Sequence, residues 1–176
     1  MRLLFLIVSG VLIGLVLHIV SLLAVPTLAP RDAYSRLAAF TGVNEAAALD
    51  VADAEKSLPF LDPAFAYMAC RFDVSSGPLQ IRVPLAGRYV AVSFHSRDGT
   101  AFFSLNDRSA LGSILDIEMR DQGDEESKAL PLGAGTIAVT SPTSTGFVLV
   151  RAFQHSQSTA EALRNELSKT VCRPRT

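Results

Sequence analysis

The sequence has few cysteines, no excess of either charge and no residue pattern that announces a cofactor. Its two cysteines, Cys70 and Cys172, stand alone, with no Cys-x-x-Cys pair and no plausible base beside either. Zinc-ribbon and thioredoxin-type chemistry therefore have no foothold. Sixteen basic residues nearly cancel seventeen acidic ones, which removes the electrostatic footprint of a nucleic-acid binder. There is no P-loop, no glycine-rich dinucleotide fingerprint and no internal repeat. Glycine and proline are scattered as single turns rather than concentrated, which argues against a disordered tail. No metal, no cofactor and no nucleic-acid partner is expected, and nothing here assigns a catalytic activity.

What the sequence does have is one long stretch without charge. Between Arg2 and Arg31 no formally charged residue occurs, and Leu3 through Val25 is almost wholly apolar before Pro26. These 23 residues would span ~35 Å as a helix, against a hydrocarbon core of ~30 Å. A helix bonds all its backbone polar groups internally, so it is the form a bilayer permits. The competing reading is a cleaved signal peptide, but those have a shorter apolar region and small residues before the cut. The best-looking site here, Thr27-Leu28-Ala29, is followed by Pro30, and a cut after Ala24 has bulky Leu22 three residues back. An uncleaved anchor over residues 1–30 is the expectation, with one globular domain over 31–176, enough chain for a single core.

One stripe of the anchor differs from the rest. Gly10, Gly14 and His18 recur every four residues, and Ser21 falls near the same face. Small residues at this spacing let two helices approach closely, and polar side chains beside them can bond across the contact. Ordinary helix composition, with His18 reaching toward the headgroups, explains the same residues without a contact. Charge does not orient the helix, because Arg2 lies on one side and Arg31 and Arg36 on the other. The cysteines point outward. Two isolated cysteines in an extracytoplasmic domain most simply form one disulfide, and closing a loop of about a hundred residues could contribute roughly 4–5 kcal/mol in the chain-entropy model. Two buried thiols in the cytoplasm are the alternative. The expectation is a single-pass protein with its domain outside the cytoplasm.

The domain reads as α+β. Asp32 to Phe40 and Asp62 to Met68 are predicted as short helices, and between them alanine-rich Asn44 to Ala54 as a second helix or a frayed turn, broken at Leu58-Pro59. From Leu79 the period becomes two: Leu79, Ile81, Val83 and Leu85 alternate with Gln80 and Arg82. Ala86-Gly87 is a turn, Val90, Val92 and Phe94 form a returning strand, and Arg97-Asp98-Gly99-Thr100 is a hairpin signal leading into Ala101 to Leu105. Leu115, Ile117 and Met119 alternate with acids and Arg120, an acidic stretch from Asp121 to Glu126 is a hairpin tip, and strands follow at Thr136–Thr140 and Phe147–Phe153. A last helix opens with the capping box Ser158-Thr-Ala-Glu161 and aligns Ala160, Leu163, Leu167 and Val171. It is expected to dock on the sheet and carry Cys172 to its partner. The sum is five or six antiparallel strands in a sandwich-like sheet with a helix packed on it.

The stretch Cys70-Arg-Phe-Asp-Val-Ser-Ser-Gly-Pro-Leu-Gln-Ile-Arg-Val-Pro and its continuation Gly87-Arg-Tyr-Val-Ala-Val-Ser-Phe-His-Ser-Arg-Asp-Gly carry a resemblance. So do Asn106-Asp107-Arg108 and Ser141-Pro142-Thr143. Together they resemble the bacterial domain-of-unknown-function 1254 family in its short, membrane-anchored form. Longer relatives fuse this domain to a second, the domain-of-unknown-function 1214 type. The resemblance therefore implies a location in the bacterial inner membrane, single-pass with the domain in the periplasm, beside a separately encoded companion, and it supplies no agreed activity or catalytic residue.

Two functions from different classes remain open. One is an envelope subunit that works by association, with a companion membrane-anchored protein or with a second copy of itself, through the membrane stripe and one sheet face. The other is a small-molecule binder or enzyme whose site a partner completes. For the second, the candidate ligand or partner face is His95, Arg97, Asp107 and Arg108, since His95 falls out of phase with the apolar side of its strand. A Ser93, His95 and Asp98 hydrolase triad has the residue types but no nucleophile elbow or oxyanion loop.

Overall fold

The computed structural model describes residues 1–28, 32–54, 58, 61–85 and 87–175. The expectations placed on Ala29 to Arg31, Pro59 and Ala86 lie outside the described residues. The chain divides into two compact units, Met1–Asp32 and Ala33–Thr176.

The first unit is one helix, α1 (Arg2–Leu28). Its apolar span, Arg2–Val25, is long and apolar enough to cross a membrane, and the window that meets this test holds no buried residue. A signal sequence meets the same criteria.

The second unit is a sandwich of two sheets. One has the order β1-β2-β8-β4-β5, the other β7-β6-β3-β9. The first sheet is antiparallel throughout and comprises β1 (Glu45–Leu49), β2 (Phe65–Asp73), β8 (Thr145–Phe153), β4 (Val90–Ser96) and β5 (Ala101–Asn106). The second contains β7 (Ile137–Ser141), β6 (Ile114–Asp121), β3 (Leu79–Pro84) and β9 (Val171–Pro174). Its β6–β7 pair is parallel. The period-two residues point where their pattern says. Val90, Val92, Phe94, Val148 and Val150 of one sheet meet Leu79, Ile81, Val83, Leu115, Ile117 and Met119 of the other in a single core. Each such side chain contributes about 1.5–3 kcal/mol on burial. Cys70 on β2 and Cys172 on β9 join the two sheets as a disulfide, their Cα atoms 6.5 Å apart. Gly146 on β8 allows the sheet to close around Phe72, since a Cβ there would run into the Phe72 ring and the His95 carbonyl.

Four expectations need correcting. The alanine-rich segment is not one helix but β1 followed by a short α3 (Val51–Ala54), and Asp62–Met68 is not helical but leads into β2. Intrinsic helix preference is a weak prior that tertiary pairing overrides. β2 is apolar on both sides, with Ala66, Met68 and Phe72 in the core and Tyr67 and Ala69 in a second cluster, so no alternation of polarity betrays it. The acidic stretch is not a hairpin tip. It opens the crossover between parallel strands, with Asp124 capping α4 (Glu125–Ala129) by accepting from the Ser127 N–H at 3.0 Å. Finally, α5 (Gln157–Leu167) starts after Ser156 and ends before Cys172, which sits on the added strand β9. No side-chain cap forms at Ser156, whose hydroxyl instead shares hydrogen bonds with the Ser158 and Thr159 hydroxyls. Strand pairing with β3 supplies the partner for β9 that no local pattern encodes.

Candidate functional site

His95 lies where its phase predicts, on the outer face of the five-stranded sheet. Its ring stacks flat on Phe147 of β8, centroids 4.8 Å apart and planes within 4°. Nδ1 is 3.1 Å from the Gly99 carbonyl, which can only accept, so the network places the proton there. Nε2, 3.0 Å from the Ser93 hydroxyl, is then the acceptor. Both ring nitrogens are thus committed to the β4–β5 turn and to the strand itself.

The turn residues are equally engaged. Asp98 accepts from the Ser96 hydroxyl and from both the N–H and hydroxyl of Thr100. The Ser96 bond foremost, then those from Thr100, hold its carboxyl below the usual carboxylate range. Asp98 therefore closes the turn and does not orient His95, whose Nδ1 goes to the Gly99 carbonyl. The Ser93–His95 pair is a hydrogen bond between neighbours on one strand, with no acid behind it. Arg97 approaches the Tyr34 ring at 5.2 Å, and Arg71 approaches the same ring at 4.9 Å. The Arg71 Nε also donates to the Thr41 carbonyl at 3.1 Å. These contacts tie α2 (Ala33–Leu37) and the residues after it onto the outer face, where Leu37 packs with Tyr67, Ala69 and Phe147.

Asp107 and Arg108 are elsewhere. His95 pairs with Ala101 at one end of the β4–β5 hairpin and Ala91 with Asn106 at the other. A six-residue strand covers roughly 20 Å, so the predicted four-residue face divides into two. Asp107 and Arg108 form a 3₁₀ turn capped by Asn106, whose side chain accepts from the Arg108 N–H at 3.1 Å.

On α1, a Cβ at Gly10 or Gly14 would meet nothing within 4 Å, and the Ser21 hydroxyl donates to the Leu17 carbonyl at 2.8 Å within its own helix. Gly10, Gly14, His18 and Ser21 are all exposed, and the Ser21 hydroxyl is satisfied locally.

Two features were missed from sequence. One is a buried ion network on the outer face of the four-stranded sheet. Glu118 and Arg120 are 4% and 5% exposed. Arg120 Nε donates to Glu118 at 2.7 Å and Arg175 to its other oxygen at 2.6 Å. The same guanidinium groups reach the Leu130 and Pro131 carbonyls at 2.8 and 3.1 Å, pinning the β6–β7 crossover. The other is a cleft of about 1070 Å³ between α5 and the β1–β2 edge. Leu49, Phe65, Met68, Ala160 and Leu167 are among its walls, and Asp50, Glu161 and Arg164 also line it. The sequence signal for it is the apolar run on both sides of β2, whose first residues, up to Met68, fall in the segment predicted as a helix. Among the described residues, no group of three or more His, Cys, Asp or Glu side chains could hold a metal.

The fold has solved relatives. A crystal structure of the VPA0106 protein from Vibrio parahaemolyticus matches 76% of this chain and 31% of its own, with a TM-score of 0.59 and 14% identity. An uncharacterized protein from Burkholderia cenocepacia matches 65% of this chain and 32% of its own, with a TM-score of 0.48 and 13% identity. The chain thus spans less than a third of either relative, and likeness at this identity concerns the fold alone. No curated protein sequence matches. The family model described as "Protein of unknown function (DUF1254)" matches residues 45–174, from the first residue of β1 to the last of β9, and the chain accordingly belongs to the DUF1254 family.

Proposed function

We propose that this protein is a single-pass inner-membrane subunit whose DUF1254 domain lies in the periplasm and associates with a companion membrane protein of the DUF1214 type. The observation that carries the association is the outer edge of β5. Its sequence, Ala101-Phe-Phe-Ser-Leu-Asn106, holds no charge and no proline, the usual protections of an edge strand. Among the described residues it pairs only with β4. Phe103 is 40% exposed, and in the chain that follows Leu111 and Ile114 are 89% and 52% exposed. An uncharged edge followed by exposed apolar side chains suits the addition of a partner's strand. The Cys70–Cys172 bond favours an oxidising compartment, and the open Gly10 and Gly14 positions offer a second contact within the bilayer.

The test is photocrosslinking in native membranes with benzoylphenylalanine at Phe103. As a control, the same probe replaces Arg82, whose side chain is 48% exposed on the other sheet. A discrete adduct at Phe103, absent at Arg82 and weakened by Gly14→Leu, is the expected result. Equal labelling at both positions, or none at Phe103, would overturn the reading.

A further inference from the structure

We propose that the companion also adds a strand to the free edge of β7, beneath β5, and so closes the open side of the sandwich. This rests on the association reading and deepens it, from one sheet edge to two.

The two sheets differ by one strand, and the disulfide tells on which side. Cys70 of β2 is bonded to Cys172 of β9, and β9 also lies beside β1. Counted from that side, the four-stranded sheet ends at β7 while the five-stranded one continues to β5. β5 therefore overhangs, with no strand of the second sheet opposite it. The side chains agree. Leu105 pairs with Val92 and Phe103 with Phe94, so all four share the inner face. Val92 and Phe94 are fully buried, whereas Phe103 is 40% exposed and Leu105 is only partly buried. An inward-facing phenylalanine left in water marks a place in the second sheet that the described residues do not fill.

The edge beside that place is free to pair. β7 carries no charge and no proline, and among the described residues it pairs only with β6. The Ser141 carbonyl accepts from the Gln122 N–H at 2.9 Å, so Ser141 turns its backbone groups toward β6. These groups alternate sides along a strand, which aims those of Ala138 and Thr140 at the free edge. Both residues are exposed. A strand added here gains main-chain hydrogen bonds from them and sets alternate apolar side chains against Phe103 and Leu105.

Shape decides the occupant. A second copy joined through β7 by a two-fold axis would bring its own β4 and β5 onto the volume that β4 and β5 of the first already fill. The place accepts a strand that carries no second sheet on that side. One short strand buries less surface than a stable complex needs. That favours a partner anchored in the same membrane, where its effective concentration is high. The helix Arg2–Val25 is able to give this chain such an anchorage.

The experiment uses the full chain in native membranes, co-expressed with an epitope-tagged DUF1214-type companion, with benzoylphenylalanine at Thr140 or at Phe103. A tagged adduct at both positions is the expected result. Ala138→Pro removes a free-edge N–H at an exposed position, a change that edge strands tolerate. It should lower the Thr140 adduct about fivefold, the loss of one backbone hydrogen bond. Phe103→Glu, also at an exposed position, puts a charge into the place beneath β5 and should lower the adduct at least as far. A tagged adduct at Phe103 with none at Thr140 would refute this inference and leave the association reading standing. No tagged adduct at either position would overturn both. A Thr140 adduct between two copies of this chain would refute the occupant, and a tagged one that neither substitution weakens would refute the strand pairing.

Discussion

The outer faces of the two sheets are both roofed by chain that belongs to neither sheet, and the roofs are held by different forces. Over the five-stranded sheet, residues after Ala33 lie on Tyr67, Ala69, Phe147 and Leu149, with Leu37 buried among them and Tyr34 met by two arginines. Over the four-stranded sheet, the β6–β7 crossover is tied by Arg120 and Arg175 through Glu118 and two backbone carbonyls. The first roof is mainly hydrophobic, so it tolerates imperfect geometry and loses stability in proportion to area. The second is ionic and buried, and depends on every partner being present. Removing one member leaves an uncompensated charge away from water, which costs more than the pair contributes. A polar residue pointing away from the core is thus no marker of a site in itself. His95, Glu118 and Arg120 all do so, and all three are holding structure together.

Three substitutions test this contrast. Glu118→Ala should have the largest effect, about 3–5 kcal/mol of lost stability, because two guanidinium groups lose their shared acid. Urea denaturation would measure it, and limited proteolysis should cut first within residues 122–136 while residues 33–54 stay protected. Cys172→Ser comes next at about 2–5 kcal/mol, since it frees β9 and with it Arg175. Thermal melts should show the wild type with reductant approaching the variant without it; a wild-type melt indifferent to reductant would mean the bond does not form. Leu37→Ala is the smallest, about 2–3 kcal/mol at a site whose neighbours can partly close. Hydrogen exchange should quicken in residues 33–41 and leave the crossover unchanged. If Glu118→Ala and Leu37→Ala each loosened both roofs equally, the two faces would be one cooperative unit and the contrast would fail.

Sequence legibility followed the same division. Leu79–Leu85 and Leu115–Met119 were readable as strands because one side met the core while the other carried Gln80, Arg82, Asp116 and Glu118. β2 was unreadable because the roof over its second face is apolar, whereas the one over β6 is ionic, so Phe65 to Phe72 show no polar alternation. The candidate site fared likewise. His95 could be placed on the outer face from its phase alone, yet its stacking partner Phe147 lies 52 residues further along the chain, and the pairing of β4 with β8 sets that contact. The cleft could not be foreseen, because its walls come from β1, β2 and α5 and exist only once they are assembled.

By itself the sequence determined the apolar helix over Arg2–Val25, the strands with one polar face, the Arg97–Thr100 turn and the family. Each follows from a residue and its immediate neighbours: a run without charge, a period of two, a glycine where φ is positive, as at Gly99. Only the tertiary structure decided that β6 and β7 run parallel, that an alanine-rich segment becomes an edge strand, and that Glu118 and Arg120 are buried. The reason is that local periodicity fixes which way a side chain points from its strand, whereas burial depends on which distant segment comes to lie across it.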